Sequence, residues 1–402
     1  MRLVQSSLFY YLFMGRYYSY LKTAVTIIEK YNGVLPFAIF IKQFFAAEKK
    51  YGSKDRKQIS NICYPYFRIG NIAKNYSNTD AIINANFLCE TKATDFLQIV
   101  APDLIKDIHF SIQEKLLLLN PNFRIDDITI CTPLFSKPLD VQAYLQAYFI
   151  QPSTFFRIRP LHYNTVIANV QKAAIQYQQL TTNCIQLQAN NNLADICIID
   201  KEIVIQDYNS QKVFDALIAF LPAASNEIKV WDCCAASGGK SILLHDVIPN
   251  KIQLTVSDIR TSILANLKKR FAVAGIKNFK SFVADISNQL TILPTEKYDL
   301  IICDVPCSGS GTWSRTPEQL TFFKPTQIEH YSQLQKKIMS NVLPYLKAKG
   351  LLVYITCSVF EKENEAQMNY LVNEKQLTLL HSQLLQGANN KADSMYVAIF
   401  TT

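Results

Sequence analysis

Between residues 226 and 356, apolar runs of strand length alternate with helical segments, a pattern that few folds accept. The runs are 228–233, 252–257, 281–284, 298–303 and 351–356. They are apolar throughout rather than at every second residue, so both faces of each strand need cover. Residues 240–247, 261–274 and 327–346 carry helical spacing between them. Strands buried on both faces and joined by helices make an α/β layer with a parallel sheet. The last helix is expected to open on a capping box, Thr326 with Glu329, and to stop at Gly350. The final run, 395–400, has no crossover helix after it and is expected as an antiparallel edge strand.

The chain before this region reads differently. Tyr20, Leu21, Ala24, Ile27 and Ile28, then Ile59, Ile62, Cys63, Tyr66 and Phe67, recur at helical spacing, and 17–120 reads as a bundle. Prolines 121, 133 and 138 mark a connector over 121–145. From 146 to 225 the pattern mixes types. Strands are expected at 155–159, 195–199 and 203–206, helices at 166–177 and from 210 to about 220, and a turn at Asn190-Asn191-Asn192. The division is therefore a helical part, 1–145, a small α+β part, 146–225, and an α/β part, 226–402. At 402 residues, 49% hydrophobic and 18% charged, the chain has ample core and no disordered composition.

The first hundred residues hold thirteen Lys and Arg against six Asp and Glu, seven of the chain's net +9. Lys49, Lys50, Lys54, Arg56 and Lys57 cluster where two helices join. Such a basic module fits a nucleic-acid-binding arm or a solvated helical surface. The apolar run 8–14 is too short to span a bilayer, and no small-residue cleavage site follows it, so a helix face is expected and no membrane. The ten cysteines include the adjacent pair Cys233-Cys234, form no CxxC pair, and share no metal-ligand spacing with the five histidines. A reducing cytoplasm and no metal are expected.

The first strand runs into Cys234-Ala235-Ala236-Ser237-Gly238-Gly239-Lys240. Small residues between strand and helix let a ligand approach the backbone. This is not a phosphate-binding Walker loop, because Cys234 stands where that motif needs glycine. Asp258, 20 residues after Gly238, ends the second strand, Asp285 follows the third, and Asp304 the fourth. Carboxylates at successive carboxyl ends face the crevice where open α/β sheets bind ligands, and one of them can take both ribose hydroxyls. The triple-glycine signature of dinucleotide binding is absent, so the expected cofactor is S-adenosyl-L-methionine. Its adenosine would lie near Asp258 and Asp285 and its methionine part along 234–240, with Asp304 also at the cofactor. Cys307 and Cys357 follow the fourth and fifth strands. If those strands are neighbours, two thiols face one crevice. Thiols so placed are inert core or catalytic.

Asp232-x-Cys-Ala-Ala-x-Gly-Gly-Lys, Asp304-x-Pro-Cys-Ser-Gly-x-Gly and Thr356-Cys357-Ser358 with Glu363-Asn364-Glu365 resemble the RsmB/NSUN (Sun) family of RNA cytosine-5 methyltransferases. Gln206-Asp207-Tyr208-Asn209-Ser210-Gln211 is similar to that family's Gln-Asp-x-x-Ser-Gln helix start. The similarity covers roughly 150–402, and Gly52-Ser53-Lys54-Asp55-Arg56 weakly resembles a NusB-like helical domain. The resemblance implies a class I, Rossmann-like methyltransferase domain preceded by a small α+β domain and an N-terminal helical domain. It implies formation of 5-methylcytidine in RNA, ribosomal or transfer, by a monomer. By the resemblance Cys357 attacks carbon 6 of cytosine, Cys307 assists release, Asp304 holds the base, and Lys240 supplies positive potential. Arg157 and Arg159 would hold RNA phosphates. The chain departs from the family pattern in three places: Ser237 replaces a proline, which should loosen the turn, Arg159 replaces an asparagine, and Ile263 an arginine. Two rival readings stand beside this one, a methyltransferase of a non-RNA substrate and a ribosome-assembly RNA-binding protein without catalysis.

Overall fold

The computed structural model describes residues 2–188, 192–223, 227–248, 250–288, 294 and 296–402, with side chains from Met14 onward. The turn expected at Asn190-Asn191 lies outside the described residues. The chain forms two compact units. One comprises 1–133, 140–151 and 313–324, the other 134–139, 152–312 and 325–402. Short segments of each unit thus fall in sequence within the other, and the expected parts 146–225 and 226–402 fall in the second unit except for 146–151 and 313–324.

The first unit is helical, with Arg2–Lys30, Phe37–Ala47, Ser53–Arg68 and Asn78–Cys89 as its longer helices. Tyr20, Leu21, Ala24, Ile27, Ile28, Ile59, Ile62, Cys63 and Phe67 are buried, as their spacing predicts, while Tyr66 is only half-buried. Buried Arg68 draws the later segments in. Its guanidinium donates to the carbonyls of Tyr148 (2.6 Å) and Ser314 (3.2 Å) and to Gln151 Oε1 (2.8 Å). Glu318 accepts the Phe37 N–H at 3.0 Å, and the Phe322 ring lies 5.2 Å from that of Tyr31. No helix among the described residues is long and apolar enough to cross a membrane.

The second unit holds two sheets. The smaller is built from β1 (Thr154–Ile158), β2 (Tyr177–Gln179), β3 (Cys184–Leu187) and β4 (Ile203–Ile205), antiparallel in the order β2-β3-β1-β4. Residues 193–195 form a tight helical turn where a strand was expected at 195–199, and β3 takes the place beside β1. The expected 210–220 helix is broken into Tyr208–Lys212 and a short turn, Leu217–Phe220.

The larger sheet comprises β5 (Ile228–Asp232), β6 (Ile252–Asp258), β7 (Phe279–Val283), β8 (Tyr298–Asp304), β9 (Leu346–Thr356), β10 (Thr378–Leu385) and β11 (Met395–Thr401). Its order is β10-β11-β9-β8-β5-β6-β7. The strands from β5 to β9 pair in parallel, and β11 pairs antiparallel with β9. The tail strand is therefore antiparallel, as expected, but not at the edge: β10 covers it. The helix before β9 runs Thr326–Val342 and is entered from Pro325 without a side-chain cap. Glu329 is spent instead on Gln333 and Lys362. The helix gives way at Leu343-Pro344, since proline cannot continue it, and Gly350 lies inside β9.

One buried ion cluster ties β1 to the helix Gly239–Val247. Asp246 accepts from Arg157 Nη1 at 2.6 Å and from Arg159 Nη2 at 2.8 Å and Nε at 3.0 Å. Arg159 Nη1 also donates to the carbonyls of Asp200 and Ala274. The three side chains are 5%, 10% and 4% exposed. Arg157 and Arg159 are therefore structural, and the expectation that they hold RNA phosphates is corrected: their charge is spent inside the fold. Asp246→Ala leaves two buried guanidinium groups without their counter-charge and should cost about 3–5 kcal/mol in chemical denaturation. An unchanged unfolding midpoint would contradict this reading.

Candidate active site

β5 lies between β6 and β8, so the connections leaving β5 and β8 diverge to opposite sides, and a crevice opens at the carboxyl ends of these strands. The loop from β5 has Ala236 at φ +46° and Gly238 at φ +82°. A Cβ on Gly238 would lie 2.6 Å from the Phe271 ring, so the turn needs glycine for both reasons. Ser237 does not loosen this turn. Its carbonyl and hydroxyl accept from Arg270 Nη1 at 2.9 and 3.0 Å, and Arg270 is ion-paired with Asp200 at 2.7 Å. A side chain from the helix Thr261–Ala274 thus replaces the stiffness a proline would give.

A cavity of about 510 Å³ occupies the crevice. Cys234, Ala236, Asp258, Asp285, Asp304, Cys307 and Cys357 all line it, with Arg260 at its wall and Leu334 and Ile338 supplying apolar surface. Seven of the residues singled out from sequence thus meet in one place. Ala235, Ser237, Gly238 and Gly239 do not line it. The Ala235 N–H is spent on the Ser257 carbonyl, and Ser237 and Gly238 pack toward Arg270 and Phe271, so these residues shape the loop from behind. Lys240 is also outside the lining, but its ammonium reaches Asp304 Oδ2 at 2.7 Å. Burial works against the Lys240 charge, yet Asp304, with Cys357 and Asp232 adding to it, carries its pKa above the ordinary lysine value.

Asp258 is buried and accepts from the Ala236 N–H at 3.0 Å and from Arg260. Burial alone would raise its pKa, but these donors outweigh burial and hold the carboxyl below the usual range. Asp285 accepts from the Ser287 N–H and hydroxyl and from Asn288. Asp232, fully buried beneath the loop, takes one hydrogen bond from Ser241 at 2.6 Å. Burial pushes its pKa up to about 7, with Asp304 and Asp258 adding to the rise against Ser241.

The two thiols sit 3.3 Å apart, sulfur to sulfur. The hydrogen bond with Cys357, then burial, raises the Cys307 pKa well above that of a free thiol. At this distance either sulfur can donate its hydrogen to the other. A buried polar cluster fixes this approach. Glu363 accepts from the Ser308 N–H (3.0 Å) and hydroxyl (2.6 Å), and Ser308, Ser310 and Ser358 hydroxyls lie 3.2–3.3 Å from one another. Asn364 joins Thr356 Oγ1 to the Ser358 carbonyl. The Gly311 N–H donates to the Cys357 carbonyl at 2.9 Å, and a Cβ on Gly311 would stand 2.0 Å from the Ser394 carbonyl oxygen. Ser308, Ser358, Glu363 and Asn364 of this cluster stand in the motifs read from sequence, whereas Ser310 falls at an unspecified motif position. Among the described residues no cluster of His, Cys, Asp and Glu is arranged to hold a metal ion.

The profile of the family described as "16S rRNA methyltransferase RsmB/F" matches residues 218–400. A ribosomal RNA small subunit methyltransferase B of Salmonella arizonae is 34% identical over 170 residues, covering 42% of this chain and 37% of that protein. The chain spans well under half the length of the curated relatives it matches. Among solved structures, PH0851 superposes with a TM-score of 0.68 at 17% identity, covering 94% of this chain and 97% of the other. NSun6 from Pyrococcus horikoshii, solved with SFG, superposes with a TM-score of 0.57 at 14% identity, covering 67% and 96%. At these identities the structural likeness establishes a shared fold.

The raised pKa of Asp232 sets a pH test. A carboxyl whose folded pKa exceeds its unfolded one stabilises the fold less as pH rises, here between the unfolded value near 3.8 and about 7. Asp232→Asn cannot ionise, so its stability should gain on that of the unaltered chain across this window. The gain should be about 1.4 kcal/mol per pH unit, read from denaturation midpoints. Parallel pH profiles for the two proteins would show that Asp232 stays ionised.

Proposed function

We propose that this chain, with a methyltransferase domain of the RsmB/F type at residues 218–400, forms 5-methylcytidine in RNA, ribosomal RNA above all, from S-adenosyl-L-methionine. The observation that carries the reading is the thiol pair. Two sulfurs 3.3 Å apart, within hydrogen-bond reach of each other, open into a cavity lined by Asp258, Asp285 and Asp304. Carbon 5 of cytosine is a poor nucleophile, and an enzyme that methylates it needs a thiolate to add at carbon 6 and a second group to manage the proton on carbon 5.

The cavity fits the cofactor. Its size is that of a small-molecule site, and Asp258 is a buried carboxylate suited to ribose hydroxyls. When bound, S-adenosyl-L-methionine supplies an electrophilic methyl group. The protein's part follows from its side chains. Cys357 must react as its thiolate, and Lys240 supplies positive potential nearby. Cys357 attacks carbon 6, and Asp304, oriented by Lys240 at 2.7 Å, hydrogen-bonds the base. In the elimination the bond from carbon 6 to Cys357 breaks as the carbon 5–carbon 6 double bond re-forms, and Cys307 gives its proton to the departing Cys357 sulfur while taking the one from carbon 5. The target nucleotide must leave its stack to reach a site of this depth. With Arg157 and Arg159 spent inside the fold, phosphate contact falls to other cations. Lys49, Lys50, Lys54 and Lys57, all exposed around the turn between two helices of the first unit, are suited to it.

The two thiols should fail differently. Cys357→Ala removes the nucleophile, so methylated product and covalent adduct should both vanish. Cys307→Ala leaves attack and methyl transfer possible but slows elimination by about 100- to 10,000-fold, the scale of a lost acid–base group. Protein should then accumulate joined to methylated RNA, a slow band on a denaturing gel that ribonuclease removes. Adduct in Cys357→Ala and none in Cys307→Ala would exchange the roles. Unimpaired methylation in both variants would make the thiols ordinary core residues.

A further inference from the structure

We propose that Arg260 competes with the cofactor's ribose for Asp258, and so sets how tightly this chain binds any ligand carrying a 2′,3′-diol. The inference rests on the cofactor reading above and follows from counting donors. An ionised carboxylate offers about four acceptor positions. On Asp258 four donors already claim them. Oδ1 accepts from the Arg260 N–H at 2.9 Å and Nε at 3.0 Å, and Oδ2 from the Ala236 N–H at 3.0 Å and Arg260 Nη2 at 3.3 Å.

Two of these donors cannot leave. The Ala236 N–H belongs to the loop that Arg270 and the Ser257 carbonyl hold in place, and the Arg260 N–H stands at the start of the helix Thr261–Ala274. The other two belong to a guanidinium whose side chain is 57% exposed, against 6% for Asp258. A vicinal diol needs two acceptor positions on one carboxylate. With Asp258 so deeply buried, the positions within reach are the ones the guanidinium holds. Diol and guanidinium therefore exclude each other, and the exposed partner is the one that swings out. Exposed ion pairs are weak and screened by salt, so the competition is mild and depends on ionic strength.

The test is calorimetric titration of the full chain with S-adenosyl-L-homocysteine, which carries the same ribose and cannot react. Arg260→Gln should bind it two- to fivefold more tightly than the unaltered chain. Raising the salt from about 0.02 to 0.3 M should strengthen binding to the unaltered chain and leave the variant unmoved, because screening loosens only a pair that exists. A 2′,3′-dideoxy analogue of the ligand, with no hydroxyl to place on Asp258, should gain nothing from the substitution. Weaker binding by Arg260→Gln would overturn the proposal and make Arg260 a direct ligand of the cofactor. Equal affinity with equal salt response would overturn it by showing no competition. Failure of the unaltered chain to bind would instead sink the cofactor reading on which the proposal stands.

Discussion

Parallel pairing of β8 with β9 aligns Asp304 with Ile355, and the rest of the site depends on that register. It makes two loops leave the sheet side by side, one carrying Cys307 and the other Cys357. Nothing local in either loop could bring two sulfurs within 3.3 Å across fifty residues of chain. The register does it because both strands are buried on both faces. A slip by one residue would turn every apolar side chain of β9 to the opposite face. The serine and glutamate cluster then converts strand register into thiol geometry. Ser308, Ser310, Ser358 and Glu363 are joined to one another, and Glu363 is fully buried. A polar network with its hydrogen bonds made is rigid, and breaking one member exposes the others to the cost of an unmade bond.

Charge placement beneath the cavity follows a similar logic. Lys240 and Asp304 neutralise each other at the rim, and Asp232 lies deeper, where burial favours its neutral form. Three carboxylates at successive strand ends would repel one another if left bare. Each here is given donors: Asp258 the loop backbone and Arg260, Asp285 the Ser287 and Asn288 groups, Asp304 the lysine. The acidic crevice is thus compatible with a folded, partly dry interior.

Much of this was legible in the chain. Continuous apolar runs identified β5 to β9, because strands covered on both faces admit little else. The carboxylates and thiols could be placed at strand ends by spacing alone. What escaped the reading shares one cause: a side chain's partner lies far away in sequence. Arg157 and Arg159 looked like surface cations on an alternating strand, yet Asp246, 87 to 89 residues on, takes both. Ser237 looked like a loosened turn until Arg270 was seen to hold it. Most residues of β10 are exposed or half-buried and form no continuous apolar run, so the sequence alone leaves the tail strand at the edge. Gly350 suggested a helix end, but Pro344 had already stopped the helix.

The central claim is that this cavity delivers a methyl group to carbon 5 of cytidine in RNA. It is tested most directly by incubating the full chain with methyl-labelled S-adenosyl-L-methionine and small-subunit ribosomal RNA lacking modifications, then digesting the RNA to nucleosides. The account predicts label in a single nucleoside that co-elutes with 5-methylcytidine. Label in any other nucleoside, or none in RNA while the cofactor is bound, would contradict it.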